Sequence, residues 1–476
     1  MTTPNLLVIM SDEHQARAMG CADHAFVRTP NLDALAARGM RFSDAYTPSP
    51  ICVPARASFA TGRHVHETRL WDNAMPYTGT PRGWGHVLQE AGVPVESIGK
   101  LHYRDADDPT GFDQMHMPMM VVDGVGMVWA SIRAEDERVS PKTRMLGPEI
   151  GPGHSKYTEY DAAVTKRTED WIAAKAASED DRPWCLYVGL VAPHFPLVCP
   201  QEFFDLYPPG SLPEPKLHPS TGYRRHPWVE KQNAFMDSEG AFRDADERQA
   251  ALSAYYGLVS WMDHNVGRIL TALDQAGLTE NTKVVYTSDH GDNVGARGLW
   301  GKSNLYQESV AVPLIMAGPG VPQGVCETPV TLLDLSAEIP AHFGLSFDCS
   351  GRPLGDIAAE EDDHGREVIS QYHAAGAVYG AYMMRHGRWK LIHYEGFKPE
   401  LFDLEADPEE LNDLAGNVFY RDILAELLEM ILDHLDPAAT DAQAFADQAA
   451  LIESYGGREA ALKLGAPGAT PPPSVS

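Results

Sequence analysis

The sequence predicts an α/β fold built on a large, mixed but mostly parallel sheet. Short β-branched apolar runs alternate with longer helical patterns through the first two thirds of the chain, the alternation that builds βαβ units. Polar residues able to do chemistry follow several of these runs directly. In open α/β sheets ligands gather beyond the carboxyl ends of the strands. At 476 residues the chain also exceeds one compact core. It predicts a catalytic α/β domain over residues 1–346, a smaller α+β domain over 347–435 and a C-terminal tail over 436–476.

Residues 6–10, 95–98, 185–191, 283–287 and 312–316 read as buried strands, and residues 31–38, 157–177, 249–275 and 332–342 as helices. Asp12 follows the first strand, Lys100 the second, His194 the third and Asp289 the fourth. From about Phe347 the pattern changes. Residues 377–385 and 388–394 suggest a hairpin joined through His386-Gly387, with an amphipathic helix over 419–435. The Ala-rich stretch from Asp436 reads as a frayed tail or an arm reaching a neighbouring subunit. Two long connections, 117–156 and 207–246, are rich in Pro, Gly, His and Trp, and loops of that length in enzymes often shape a pocket.

Composition narrows the function. Hydrophobic residues make up 43% and charged residues 22% of the chain, ordinary for a soluble globular protein. No apolar run approaches the ~20 residues that span a bilayer. Residues 1–10 lack a basic n-region and a cleavage site, which predicts a cytoplasmic enzyme. The six cysteines are scattered, with no Cys-x-x-Cys pair, so reduced thiols are expected. A formal charge of −29 argues against nucleic acid or an anionic membrane as partner. An anionic substrate would need cations concentrated locally against that field.

Two acidic clusters, Asp12-Glu13 and Asp289-His290-Gly291, follow different strands. An Asp after a strand is often only a helix cap, but two such clusters at neighbouring strand ends would repel unless a cation lay between them. Mostly oxygen ligands favour Ca²⁺, and an imidazole nitrogen leans toward Mn²⁺. A lone Cys52 opens a predicted helix with Arg56 four residues on along the same face.

The run Cys52-Val53-Pro54-Ala55-Arg56 resembles the signature of the sulfatase family. Asp12-Glu13, Gly99-Lys100-Leu101-His102, Ala192-Pro193-His194, and Asp289-His290-Gly291 followed by Lys302 match further sulfatase motifs in type and order. Thr29-Pro30-Asn31-Leu32, Leu401-Phe402-Asp403-Leu404 and Asp407-Pro408 resemble family landmarks too. The resemblance implies an alkaline-phosphatase-like fold and hydrolysis of a sulfate monoester of an aryl or small alkyl alcohol. Cys52 would be converted to formylglycine by a maturation enzyme, the hydrate of the aldehyde serving as nucleophile. The implied metal ligands are Asp12, Glu13, Asp289, His290 and the modified Cys52. Arg56 would hold the hydrate, and Asp289 could accept its proton. Lys100 and Lys302 would grip the sulfuryl oxygens, His194 would protonate the departing oxygen, and His102 would collapse the sulfated hemiacetal. Asn73 would reach the substrate oxygens.

Two positions depart from the family pattern. Glu13 stands where many sulfatases carry Asp, and its longer arm would coordinate less directly. His290 replaces the Asn of some members. The same Asp-His pair occurs in the related phosphonate monoester hydrolases, the alternative function on this scaffold. His64, His66 and Tyr372-His373 are further candidates for substrate contact. Trp129, Trp228 and Tyr223 offer aromatic surfaces suited to an aryl group or a quaternary ammonium. A homodimer or homotetramer is expected.

Overall fold

The computed structural model of the protein describes residues 3–139, 144–465 and 468–474. Its principal strands are β1 (Asn5–Asp12), β2 (Gly39–Phe42), β3 (Val95–Lys100), β4 (Gln114–Met119), β5 (Cys185–Pro193), β6 (Thr282–Ser288), β7 (Leu314–Ala317) and β8 (Gly324–Cys326). They form one eight-stranded sheet in the order β8-β2-β7-β6-β1-β5-β3-β4. The pairs β1–β5, β1–β6, β3–β5, β3–β4 and β2–β8 are parallel. The expected strand near 312–316 is present as β7, but it runs antiparallel to both β6 and β2. From β6 the chain loops past the sheet edge and turns back, without the long helical crossover that a parallel return needs. Strands β2, β4 and β8 were not anticipated. Each is short or carries polar residues and Pro, as sheet edges do, and shows no run of buried β-branched residues.

Alternation along β1 explains the layers. Leu7 and Ile9 face one core with Val188, Tyr286 and the helices α1 (Pro30–Ala37), α3 (Lys156–Ala176) and α4 (Ala245–Gln275). Leu6, Val8 and Met10 face the other, with α2 (Cys52–Thr61) and α5 (Leu332–His342). All five side chains are fully buried, so the sheet is covered on both faces.

Local capping sets the helix positions. Ser155 accepts from the Thr158 N–H at the start of α3, and Asp244 accepts from the Glu247 N–H at the start of α4. Asp263, within α4, accepts from the backbone N–H groups of Asn31 and Leu32 at 3.2 and 2.8 Å. It thereby caps α1 from a different helix.

A second, four-stranded antiparallel sheet follows, from β9 (Val368–Tyr372), β10 (Ala381–His386), β11 (Trp389–Tyr394) and β12 (Glu400–Asp403). Helix α6 (Arg421–His434) packs Leu427 and Ile431 against it. Where the sequence suggests a frayed tail or an oligomer arm, the chain forms α7 (Pro437–Ser454), packed on its own body. There Arg133 donates to Asp441 at 2.6 Å, and Gln448 donates to Asp72 at 2.7 Å.

The second sheet is tied to the segment that follows β6 by buried charge. Lys390, fully buried on β11, donates to Glu410 at 2.6 Å and to Gln307 at 3.1 Å. Glu410 also accepts from the Gln307 N–H at 2.8 Å. Removing one partner of such a pair strands the other charge. Glu410→Gln is therefore expected to lower the unfolding free energy in urea by about 3 kcal/mol, whereas Asp180→Asn, at the exposed Arg182 pair, should leave it almost unchanged.

Candidate active site

The strand register brings the site together. Ser11 pairs with Ser288 and Asp12 with Pro193 across β1. Asp12, Lys100, His194 and Asp289 therefore lie at one sheet edge, as their positions after predicted strands imply. Arg56 closes the space between them. Its Nε donates to Asp289 at 2.8 Å, Nη2 to Asp12 at 3.1 Å, and Nη1 to the Lys100 carbonyl and the Tyr187 hydroxyl, both at 3.0 Å. Lys100 Nζ lies 2.6 Å from Asp12. All four charged groups are buried. Burial alone would raise the Asp12 carboxyl, but the Lys100 and Arg56 cations outweigh it and hold the acid well below its ordinary range.

Cys52 is the first residue of α2, one turn ahead of Arg56 on the same face. The Asn73 side-chain carbonyl accepts from the Val53 N–H at 3.1 Å and so fixes the amino end of that helix. The Cys52 Sγ lies 3.2 Å from His290 Nε2 and 3.7 Å from Asp12 Oδ1. Burial first, then Asp12, pushes the thiol up to about 12, so an unmodified Cys52 is a weak nucleophile at neutral pH.

On the other side, Lys302 Nζ lies 2.7 Å from His194 Nε2 and 3.0 Å from Glu13 Oε2. His194 Nδ1 donates to the Phe195 carbonyl at 2.6 Å, leaving Nε2 as the acceptor. Burial and then Lys302 hold His194 neutral, well below its ordinary pKa. Burial pulls the Lys302 ammonium down, but Cys52, Glu13 and Asp12 hold it above its usual range. Asp161 on α3 accepts from the Val191 and Ala192 N–H groups at 2.8 and 2.7 Å, steadying the end of β5 that carries His194. His102 is buried, held neutral by burial and then by Lys100, and in the left-handed region at φ 59°.

These groups open into a cavity of about 330 Å³. Cys52, Asn73, Lys100, His102, His194 and Lys302 line it. Both long connections contribute walls, with Met127 and Met145 from one and Asn233 and Met236 from the other, beside Phe195 and Trp300. Several expectations do not reach it. Trp228 is fully buried against Tyr372 and Tyr394, and Trp129 stacks on Phe235. Neither they nor Tyr223 line the cavity, and the two tryptophans complete hydrophobic clusters instead. His64 stacks on His66, and His373 lies against Trp71. The wall residue Trp300 and the positioning Asp161 went unread, though a lone Asp on the buried face of α3 marked the latter. Thr470, which also lines the cavity, carries no sequence signal.

The sulfatase family model matches residues 4–345, and a model described as N-sulphoglucosamine sulphohydrolase, C-terminal, matches 295–436. The chain belongs to the sulfatase family. It is 32% identical to a choline-sulfatase of Rhizobium meliloti (strain 1021) over 431 residues, covering 88% of this chain and 84% of that one. It is 26% identical to an arylsulfatase of Clostridium perfringens over 471 residues, covering 91% and 94%. Among solved structures it resembles the phosphonate monoester hydrolase of Agrobacterium radiobacter, at TM-score 0.74 and 21% identity, covering 93% and 96%. As a sulfatase the protein is a hydrolase of sulfuric esters, on the alkaline-phosphatase-like α/β scaffold that the motifs imply.

Sulfatases generally use a metal ion and formylglycine, and the donors of this sulfatase fit a metal ion. Ligand atoms of Asp12, Cys52, Asp289 and His290 all lie within 4.8 Å of one another, and so do those of Asp12, Glu13 and His194. Glu13 thus belongs to a second grouping, beside Lys302, and its buried Oε1 has no hydrogen-bond partner among the described residues. Burial, more than Lys302 can offset, raises its carboxyl. A metal bound only by the folded state stabilises it by about 2.7 kcal/mol at 100 times its Kd. Ca²⁺ is expected to raise the Tm of the wild-type protein accordingly, and Asp289→Asn to lose most of that increment.

Proposed function

We propose that this sulfatase hydrolyses the sulfate monoester of a compact aryl or small alkyl alcohol, using formylglycine made from Cys52 and one divalent metal ion. The observation that carries this is the placement of Cys52, within 3.7 Å of Asp12 and His290 and facing Lys100, His102, His194 and Lys302 in one cavity. Asp12, Asp289, His290 and the modified Cys52 would hold the metal, with Glu13 at its margin. Their carboxylate oxygens favour Ca²⁺ over Mn²⁺, although the His290 nitrogen suits the latter. When bound, the ion would lower the pKa of the formylglycine hydrate's hydroxyl and make it a nucleophile near neutral pH.

The protein's own groups do the rest. Arg56 keeps the two carboxylates apart and neutralised, leaving Asp289 able to accept a proton. Lys100 and Lys302 present cations to the sulfuryl oxygens, and Asn73 offers its amide at the cavity wall. Lys302 and His194 hold one proton between Nζ and Nε2, the source for the departing alkoxide. His102, neutral, acts as the base that releases sulfate. The walls of Met127, Met145, Met236, Phe195 and Trp300 suit a small apolar or aryl group. The proposal brings with it a formylglycine-generating maturation enzyme, a cytoplasmic location and a homodimer or homotetramer. It keeps the division of the chain at residues 346 and 435, between which lie the second sheet, Val368–Asp403, and helix α6.

The Asp289-His290 pair and the resemblance to phosphonate monoester hydrolases favour one second activity, on phosphonate monoesters and phosphodiesters. Matched kcat/KM values for 4-nitrophenyl sulfate and 4-nitrophenyl phenylphosphonate separate the two, because the leaving group is shared. A strong preference for the sulfate, abolished in Cys52→Ala, is expected; a preference for the phosphonate would reverse the assignment. Removing the leaving-group acid should matter most where the alcohol departs poorly. His194→Ala is expected to cost about 100-fold or more on an alkyl sulfate and far less on 4-nitrophenyl sulfate, and an equal loss on both would take the proton from another residue.

A further inference from the structure

Beyond α7 the chain returns to the catalytic cavity. Arg458 donates to the Glu137 carbonyl at 2.8 Å, and Ala461 is buried in a cluster with Val128 and Ala74. Gly465 then sits at φ 76°, so close to Gly126 that a Cβ there would lie 1.6 Å from the Gly126 carbonyl oxygen. Only glycine permits that approach. Gly468, Ala469 and Thr470 line the same cavity as Cys52, Lys100 and His102.

Thr470 makes two contacts there. Its carbonyl accepts from the Tyr157 hydroxyl, and its Oγ1 lies 2.9 Å from His102 Nε2. The threonine is 8% exposed, and His102 5%. His102 Nδ1 is buried and has no hydrogen-bond partner among the described residues. The Thr470 hydroxyl is therefore the one hydrogen-bond contact among the described residues that holds the His102 ring, and it can serve Nε2 as donor or acceptor.

We propose that Thr470 is a positioning residue for His102, and that with Gly468 and Ala469 it forms the wall that limits the size of the alcohol. The proposal rests on the sulfate-ester reading in which His102 is the base. The segment that carries these residues follows α7, which is itself tied to the cavity walls. Arg133, which pairs with Asp441, lies in the connection that supplies Met127, and Gln448 reaches the cavity residue Asp72.

The test uses the matured full-length enzyme, Thr470→Val, Thr470→Ser and a chain stopped after Leu464. Thr470→Val keeps the shape and loses the hydroxyl. It is expected to lower kcat for 4-nitrophenyl sulfate about tenfold with little change in KM, while Thr470→Ser stays within about twofold of wild type. Stopping after Leu464 should raise the kcat/KM ratio of 4-methylumbelliferyl sulfate to 4-nitrophenyl sulfate about tenfold. Nitrogen NMR of the His102 imidazole, recorded in a Cys52→Ala background that turns nothing over, reads the tautomer directly. Its signals should move in Thr470→Val and hold in Thr470→Ser. Unchanged His102 signals in Thr470→Val, or equal losses in both variants, overturn the positioning role; an unchanged substrate ratio in the truncated chain overturns the wall. Should the wild-type enzyme cleave neither sulfate, the substrate assignment fails, while the NMR contrast still decides whether Thr470 sets the His102 proton.

Discussion

Everything at the site depends on one guanidinium between two carboxylates. Asp12 and Asp289 end neighbouring parallel strands, and without a cation between them their charges would oppose the register that the sheet imposes. Arg56 spans the pair with separate nitrogens and spends its remaining one on the Lys100 carbonyl and Tyr187. Because the charges are buried, the arrangement is stable only as a complete set: attraction offsets desolvation only where geometry and hydrogen bonds are nearly ideal. The same contacts fix helix α2, and Cys52 stands one turn from the arginine. The position of Cys52, the proposed nucleophile, is thus set by electrostatics at Arg56 more than by packing around it.

The protein carries 67 acidic residues against 38 basic ones, yet its catalytic cavity presents Lys100 and Lys302. It does so by keeping the neighbouring imidazoles uncharged. His102 and His194 are both buried beside lysines, and desolvation and like charge act in the same direction on them. Lys302 keeps its charge because buried carboxylates face it. Lys100 and Lys302 are the cations proposed to meet the sulfuryl oxygens, Arg144 on the cavity wall pairs with Glu247, and the neutral histidines are left to take up or pass on a proton.

How much of this was legible in sequence follows from the physics of each part. Asp12, Lys100, His194 and Asp289 could be placed because each follows a run of buried apolar residues, and a parallel sheet sends all such positions to one edge. The family motifs supplied the remaining roles. The antiparallel turn at β7 was not legible, since a strand's direction depends on the path between strands and not on its own residues. Trp228 and Trp129 look alike in sequence whether they face a ligand or a core, and here they face cores. Thr470 was invisible for another reason. Its value lies wholly in a contact with His102, across nearly the whole length of the chain, and nothing in Gly468-Ala469-Thr470-Pro471 announces it.

Cys52 is 2% exposed, with Asp12, His290 and the first turn of α2 packed around it. No second enzyme could seat its own active site on a thiol held so deeply. On the proposed function, conversion of Cys52 to an aldehyde would therefore take place on a chain that has not yet closed. The order of synthesis helps, because Asp289, His290 and Lys302 emerge long after the cysteine. Thr470 comes later still. Maturation and folding would then compete for the same side chain, and the yield of active enzyme would be set by which reaches Cys52 first.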